Sequence, residues 1–404
     1  MRIAIGIVSL FPGGGLQRDC IEIAKMMRRA RHDVVIYTAR LTGALDMANV
    51  PIVVVPNDAK TNHERQQIFA IEFLREVSND FDLIVGFDKL LGLDVLYCAD
   101  QSIRYRLHRQ PYLRLLSRYR TYHNLEADSF KPTQKTRILM LTQKQWIEYA
   151  SVWPVEAERV AELPPTLARA RCKPHYRVNG VRDQVRAELG LAGNAWVWVA
   201  IGVQPWTKGL DRVMHALKLY RQATLLVAGL KDTDNTARMA AATARWLGIS
   251  PRIIWLGHRE DVERIIAASD VLLHPARYDT TGTVILEAIV NGLPVITTSA
   301  CGYAMHVKAA GAGIVLEEPF DVPVFLTAIN DMRNQAHHAV YSNAGIAYGR
   351  SRNLYEGRVL AAKMIMDFAE QKRHVGQELR HPQELPLEAK VADTVVSLPL
   401  ISRK

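Results

Sequence analysis

Cysteine is scarce in this chain: four residues in 404, Cys20, Cys98, Cys172 and Cys301, all far apart. No two of them have CxxC or metal-ligand spacing, so a zinc site is not expected. Four cysteines in so long a chain make no disulfide scaffold, and a reducing compartment fits them better. Long apolar runs are missing as well. The longest uncharged stretch, residues 288–307, is broken by Asn291, Pro294, Thr297, Thr298 and Ser299, too polar for a spanning helix. The amino-terminal run IAIGIVSLF is short, β-branched and closed by Gly13-Gly14-Gly15 without a small-residue cleavage site; it reads as a buried strand, not a signal peptide. Two nucleotide motifs fail. No GxxxxGK[ST] occurs, which disfavours a P-loop enzyme. Gly13 and Gly15 supply G-x-G, but Arg18 stands where the third glycine belongs, and the next strand ends at Thr38-Ala39-Arg40 without a ribose-binding acid, which disfavours a nicotinamide enzyme.

What is present points to a two-domain α/β protein. The length suits two domains, and 49% hydrophobic with 23% charged residues is ordinary for a globular chain. Lys and Arg number 51 against 41 Asp and Glu, a net charge of +10. That excess favours an anionic partner, whether nucleic acid, membrane surface or phosphorylated ligand, without choosing among them. Short apolar runs at 3–10, 33–38, 52–55 and 83–86 alternate with helical patterns such as 16–30, the βαβ rhythm of a doubly wound parallel sheet. The rhythm restarts at 196–201, 224–228, 253–256, 271–274 and 294–298. The Arg-rich, weakly patterned stretch around 164–177 reads as the linker. Two such halves imply a cleft between them, where ligands bind. From about Gln371 the chain turns polar, and it is expected to be an unstructured tail.

Three loops could carry chemistry. Phe11-Pro12-Gly13-Gly14-Gly15 joins the first strand to a helix, a turn that offers backbone N–H groups and a positive dipole end to phosphate. The second half repeats this arrangement: residues 203–209 (VQPWTKG) place Lys208 at a helix opening, where an ammonium suits a diphosphate. The strongest signal is HPARYDTTGTVILEAIVNGLPVITTSACGY at 274–303. A strand ends at His274-Pro275, a loop of small residues holds Asp279, and a helix carries Glu287 eight positions later. The loop carboxylate can accept from sugar hydroxyls, the helix carboxylate from two vicinal ribose hydroxyls.

This segment resembles the E-x7-E motif of the retaining family-4 glycosyltransferases. The resemblance is closer to the lipopolysaccharide core glucosyltransferases, which add the first glucose to the inner-core heptose. The matching pieces run in order over about residues 1–370: FPGGGLQRD (11–19), GLDVLYCAD (92–100), LSRYRTYHNLE (116–126), LTQKQ (141–145), LPP (163–165), KGLDR (208–212), LLHPA (272–276), ILEAIVNGLPVITTSACGYA (285–304) and EPF (318–320). FPGGGLQRD and VITTSACGYA are specific to that group; the E-x7-E and Lys-Gly pieces occur across family 4. The first Glu of the pair is Asp279 here, shorter by one methylene.

The resemblance implies a GT-B fold, α/β with two Rossmann-like domains facing across a cleft. Residues 1–168 would form the acceptor domain, 169–344 the donor-nucleotide domain, 345–372 would cross back onto the first, and 373–404 would be a disordered tail. It also implies roles by position. Gly14 and Gly15 would lie by the donor phosphates, Asp19 would approach the acceptor or reacting centre, and Asp100 would sit near the sugar. Lys208, with polar groups of Gln204 and its loop, would neutralise the leaving diphosphate. Asp279 would hold donor-sugar hydroxyls beside the amides of Thr280, Thr281, Gly282 and Thr283; Glu287 would hold the ribose; His258 and Arg259 would sit by the uracil. No metal or other cofactor is implied. The expected activity is retaining transfer of a hexose, most simply glucose from UDP-glucose, to a lipopolysaccharide core sugar. The same fold with another donor or acceptor, such as an N-acetylhexosaminyltransferase, and a catalytically silent sugar-nucleotide or anionic-lipid binding protein are the alternatives.

Residues 103–122 (IRYRLHRQPYLRLLSRYRTY) hold Arg104, Arg106, Arg109, Arg114, Arg118 and Arg120 with four tyrosines and no acid. A basic helix with interfacial tyrosines suits an anionic leaflet, and the same arginines suit a phosphorylated core acceptor. The expected location is peripheral, on the cytoplasmic face of the inner membrane. No nucleic-acid-binding motif accompanies the positive charge, so a nucleic-acid partner is not expected.

Overall fold

The computed structural model describes every residue except 79, 232–233 and 381–404. Among these residues the strands fall into two parallel sheets. The first comprises β1 (Arg2–Leu10), β2 (Asp33–Leu41), β3 (Ile52–Val54), β4 (Leu83–Gly86), β5 (Val95–Cys98), β6 (Arg137–Met140) and β7 (Val160–Glu162), in the order β3-β2-β1-β4-β5-β6-β7. The second comprises β8 (Trp196–Ile201), β9 (Ala223–Ala228), β10 (Ile253–Trp255), β11 (Val271–His274), β12 (Val295–Thr298) and β13 (Gly313–Leu316), in the order β10-β9-β8-β11-β12-β13. Central strands such as β4 are buried throughout, which is why they read as uninterrupted apolar runs. The sequence pattern did not single out β5, β6, β7 and β13. Each is only three or four residues long, but β3, β4, β10, β11 and β12 are as short and were found, so length alone does not hide a strand.

Both sheets reverse their strand order at one place, between β1 and β4 and between β8 and β11. Loops leaving the carboxyl ends of strands at such a switch point diverge and leave a crevice. The loops that follow β1, β8 and β11 are the three singled out above.

The carboxyl-terminal part ties the halves together. Helix Gln335–Ser351 packs on helix Thr283–Val290 of the second half. Helix Gly357–Arg380 lies against helix Gly15–Arg29 and contributes Ala361, Ala362, Ile365 and Ala369 to the first core. The return to the first half therefore starts near Gly357, later than residue 345. The last helix also continues through 373–380, where an unstructured tail was expected; Gln, Lys, Arg, Glu and Leu are good helix formers, and polarity alone does not end a helix that packing has already started. The rest of that tail, 381–404, lies outside the described residues.

The basic segment is not one helix. It is a helix Ile103–Arg109, a 3₁₀ turn Pro111–Leu115 and a helix Ser117–Phe130. Pro111 cannot donate to the preceding turn, and Leu116 is extended at φ −87°, ψ 126°. Leu107, Leu113 and Tyr119 turn inward as a small cluster, while Tyr112, Leu115 and Leu116 stay exposed.

A buried carboxylate fixes this segment to the sheet. Glu126 accepts from Lys89 Nζ at 2.9 Å, Ser102 Oγ at 2.9 Å, Trp153 Nε1 at 2.8 Å and the backbone N–H groups of Ile103 at 2.7 Å and Arg104 at 3.0 Å. Burial alone would raise its pKa; Lys89, Trp153 and the Ile103 amide outweigh burial and hold it below the ordinary glutamate value. Removing one partner of a buried pair leaves an uncompensated charge. Glu126→Ala is therefore expected to destabilise the first half by about 3–5 kcal/mol, read from the urea midpoint; a shift below about 1 kcal/mol would show that Lys89 is solvated without it.

Candidate functional site

The Gly13–Gly14 turn closes β1 and opens helix Gly15–Arg29, with Gly14 in the N-cap position and no side-chain cap. Gly13 sits at φ +89°, and a Cβ there would lie 2.9 Å from His258 Cε1. The glycine turn of the first half and the loop after β10 thus meet across the cleft. Gly15 has open space where a Cβ would be. One turn along, Arg18 points toward the second half: its charge acts on Glu287, and its buried Nε has no hydrogen-bond partner.

In the second half, Gly209 at φ +79° precedes helix Leu210–Leu219, and a Cβ there would strike the Pro275 carbonyl oxygen. Only glycine lets the 203–209 loop pack against the end of β11, and that packing brings Lys208 to Asp279. Lys208 Nζ lies 2.7 Å from Asp279 Oδ2, and His274 Nε2 lies 3.0 Å from the same oxygen. His274 ends β11 and is 1% exposed. Burial alone would lower its pKa, but hydrogen bonds with Asp279 and Cys301 push it up to about 9. Burial alone would raise that of Asp279; His274 and Lys208 pull it down to about 2. The backbone of Asp279 is held as firmly, as Gly302 N–H donates to its carbonyl at 2.9 Å.

Gly282, at φ +80°, starts helix Thr283–Val290, and Glu287 follows one turn in. Glu287 is 9% exposed, and its carboxylate makes no hydrogen bond or ion pair among the described residues. Burial raises its pKa, against the opposing charges of Arg171 and Arg18. A buried, unpartnered carboxylate facing a cleft is costly unless a ligand pairs with it. The halves touch again at the far side of Asp279, where Thr142 Oγ1 donates to the Thr280 carbonyl at 3.3 Å; within the second half, Tyr303 N donates to the next carbonyl, of Thr281, at 2.7 Å.

The remaining expected residues divide. Asp100 follows β5; its carbonyl accepts from Gln145 Nε2 at 2.9 Å and Tyr149 O–H at 3.3 Å. Its carboxylate faces Asp88, whose own carboxyl is pushed up to about 7 by burial and by the Asp100 charge, although the Val8 amide and Lys89 oppose the rise. Gln204 is exposed at the cleft. His258 is exposed beside Gly13, but Arg259 is held by Asp261 through bonds of 2.8 and 2.7 Å, so a uracil there must compete with that pair. Asp19 is buried and tethered: its oxygens take Arg358 Nε at 2.6 Å, Tyr97 O–H at 2.9 Å and Thr166 Oγ1 at 3.4 Å. It joins the returning helix to the first sheet. Of the six arginines, Arg106 and Arg109 reach the cleft, whereas Arg104 stacks on Trp153 at 4.2 Å.

Sequence reasoning assigned no role to Arg18, Asp88, His274 or Thr142. His274 was the most visible of these, a titratable residue closing an apolar strand. Arg18 was visible only as the residue that spoils a dinucleotide motif.

Two Rossmann-like halves with a glycine turn on one side and a Lys–Asp–Glu set on the other define a GT-B glycosyltransferase. The comparisons bear on which one. The family described as "Glycosyl transferases group 1" matches residues 181–346. The lipopolysaccharide glucosyltransferase WaaG of Escherichia coli K12 is 34% identical over 331 residues, 79% of this chain and 86% of the relative. A crystal structure of WaaG, described as a glycosyltransferase involved in lipopolysaccharide biosynthesis, superposes with a TM-score of 0.82 at 32% identity, covering 90% of this chain and 99% of that one. HepE of Anabaena in complex with UDP-glucose has a TM-score of 0.68 at 17% identity, over 94% of this chain and 100% of that one, and shows the shared fold. The chain belongs to the WaaG family of glycosyltransferases.

In the folded chain His274 keeps its proton up to about pH 9, whereas unfolded it would lose it near 6.5. Its contribution to stability is fully present below pH 6.5 and is lost as the pH rises through about 9. The thermal midpoint should therefore fall across that window in wild type and stay flatter in His274→Asn. An unchanged slope in a folded His274→Asn would contradict the protonated state.

Proposed function

We propose that this chain transfers glucose from UDP-glucose to a lipopolysaccharide inner-core heptose with retention of configuration, as a peripheral protein on the cytoplasmic face of the inner membrane. The observation that carries the reading is the pairing of Lys208 with Asp279 at the second switch point, next to the unpartnered Glu287. The name and coverage of the WaaG relative favour the lipopolysaccharide acceptor.

Each group has a task that its surroundings suit. Glu287 accepts from the two ribose hydroxyls, which supply the donors it lacks. The diphosphate draws the Lys208 ammonium, leaving Asp279 for the hydroxyls of the sugar, with His274 holding its far side. The start of helix Thr283–Val290 and the glycine turn before Gly15 add N–H donors and helix dipoles to the phosphates. The acceptor hydroxyl attacks the anomeric carbon on the face from which UDP departs and gives its proton to the leaving phosphate. Negative charge grows on that phosphate as the glycosidic bond breaks, and Lys208 stabilises it. No metal is assigned a part in this reading.

Attachment to the membrane is assigned to the exposed turn of the basic segment. Tyr112, Leu115 and Leu116 are 66%, 84% and 44% exposed, and Arg114, Arg118 and Arg120 flank them. That combination suits an anionic leaflet at about 1 kcal/mol per well-placed basic residue. No helix among the described residues is long and apolar enough to cross a membrane.

A donor-hydrolysis and transfer screen over UDP- and GDP-sugars tests the reaction, with UDP-glucose the expected donor; preference for a GDP-sugar would overturn the assignment. Lys208→Ala should lower kcat about 100-fold or more with a smaller rise in KM, because the charge it neutralises develops in the transition state. A change confined to KM would make Lys208 a ground-state binding group only.

A further inference from the structure

A cavity of about 1090 Å³ opens between the halves, and Glu287 is not among its lining residues. Its walls include Gln101, next to Asp100, Tyr278, next to Asp279, and Gln204 and Thr207 of the loop that carries Lys208. Cys301, also in the wall, is bridged to the Asp279 backbone. A molecule filling this cavity lies beside the residues assigned to the donor sugar and its diphosphate.

Five cationic side chains line the cavity, and they are not alike. Lys144 is paired with Glu148, Arg277 with Asp211 and Lys308 with Glu317. Arg106 and Arg109 have no carboxylate partner among the described residues. Arg106 rests its guanidinium over the Tyr119 ring at 5.3 Å, and Arg109 makes no polar or ring contact there. They stand three apart on helix Ile103–Arg109, on one face, where two like charges repel. The Glu126 carboxylate holds the start of that helix to the sheet, so the two guanidinium groups are presented by a fixed element. Arg114, Arg118 and Arg120 do not line the cavity.

We propose that Arg106 and Arg109 form an anion subsite for the acceptor, taking a phosphate ester of the core saccharide, and that the basic segment is thereby divided between two tasks. Arg106 and Arg109 select the acceptor inside the cleft; Arg114, Arg118 and Arg120 hold the membrane outside it. The division rests on the acceptor class proposed above. Paired guanidinium forks match phosphate oxygens in geometry and charge. A headgroup in the plane of a bilayer meets the exposed turn around Leu115, whereas a saccharide can enter a space between two domains.

The test measures equilibrium binding by calorimetry with two probes, a lipid-free inner-core oligosaccharide carrying phosphate and the same oligosaccharide after phosphatase treatment. Wild type should bind the phosphorylated probe about tenfold tighter or more, and R106Q/R109Q should bind both alike. R114Q/R120Q should keep the discrimination but lose co-sedimentation with anionic vesicles, which R106Q/R109Q should largely retain. Equal affinity of wild type for the two probes, discrimination surviving in R106Q/R109Q, or vesicle binding falling equally in both variants would each overturn the proposal. Glucosyl transfer by wild type to the same probes is scored separately. Binding with discrimination but without transfer would count against the proposed reaction and leave the subsite standing.

Discussion

One carboxylate oxygen organises the cleft. Oδ2 of Asp279 is shared by the Lys208 ammonium at 2.7 Å and the His274 imidazole at 3.0 Å, so an anion that would resist burial stays ionised. The consequence runs both ways. His274 remains protonated inside a strand end because Asp279 is there, and Lys208 is held at the switch point without a ligand. The surrounding geometry serves this contact. Gly209 lets the Lys208 loop close on Pro275, Gly302 pins the Asp279 backbone, and Thr297 donates to the His274 carbonyl at 3.0 Å. A donor entering the cleft meets a pre-arranged positive charge and a carboxylate whose net charge is already balanced, a preorganisation that lowers the cost of reorganising at the moment of reaction.

The second condition is that two separate sheets face one another in register. Two contacts cross between the halves, and a third fixes the returning helix to the first half. Gly13 meets His258 at one end of the cleft, Thr142 bonds to the Thr280 carbonyl at the other, and Asp19 receives Arg358 from the returning helix. The last of these places a buried ion pair at the root of the first helix, directly beneath the glycine turn. Asp19 thus holds helix Gly15–Arg29 against the returning helix, one residue after Arg18, whose charge acts on Glu287.

Much of this was legible in the sequence, and the reason is local. The buried central strands announce themselves as apolar runs, and the three site loops carry glycines and charged residues at strand ends, where switch-point crevices form. The family resemblance implied that Lys208 and Asp279 serve the same donor, but their direct pairing, between residues 71 positions apart, was not legible. The missed features depend on partners distant in sequence. Asp19 looked available for chemistry because nothing near it announces Arg358; Arg259 looked free although Asp261 stands two residues on. The basic segment looked like a helix because leucines and arginines alternate, yet Pro111 breaks it and Tyr119 turns inward. The carboxyl-terminal helix runs past its expected end because good helix formers continue what packing on the first core starts.

The central claim is that the crevice holding Lys208, Asp279 and Glu287 is the nucleotide-sugar site, and Glu287 tests it most directly. Its carboxylate is buried, unpartnered and outside the Lys208 pair, so its replacement leaves that pair intact. Calorimetric titration of UDP into wild type and Glu287→Ala should show affinity falling by about 1.5–3 kcal/mol for each charge-assisted hydrogen bond lost, in a variant that keeps its fold. Equal UDP affinity in the two proteins would contradict the account and move the nucleotide elsewhere.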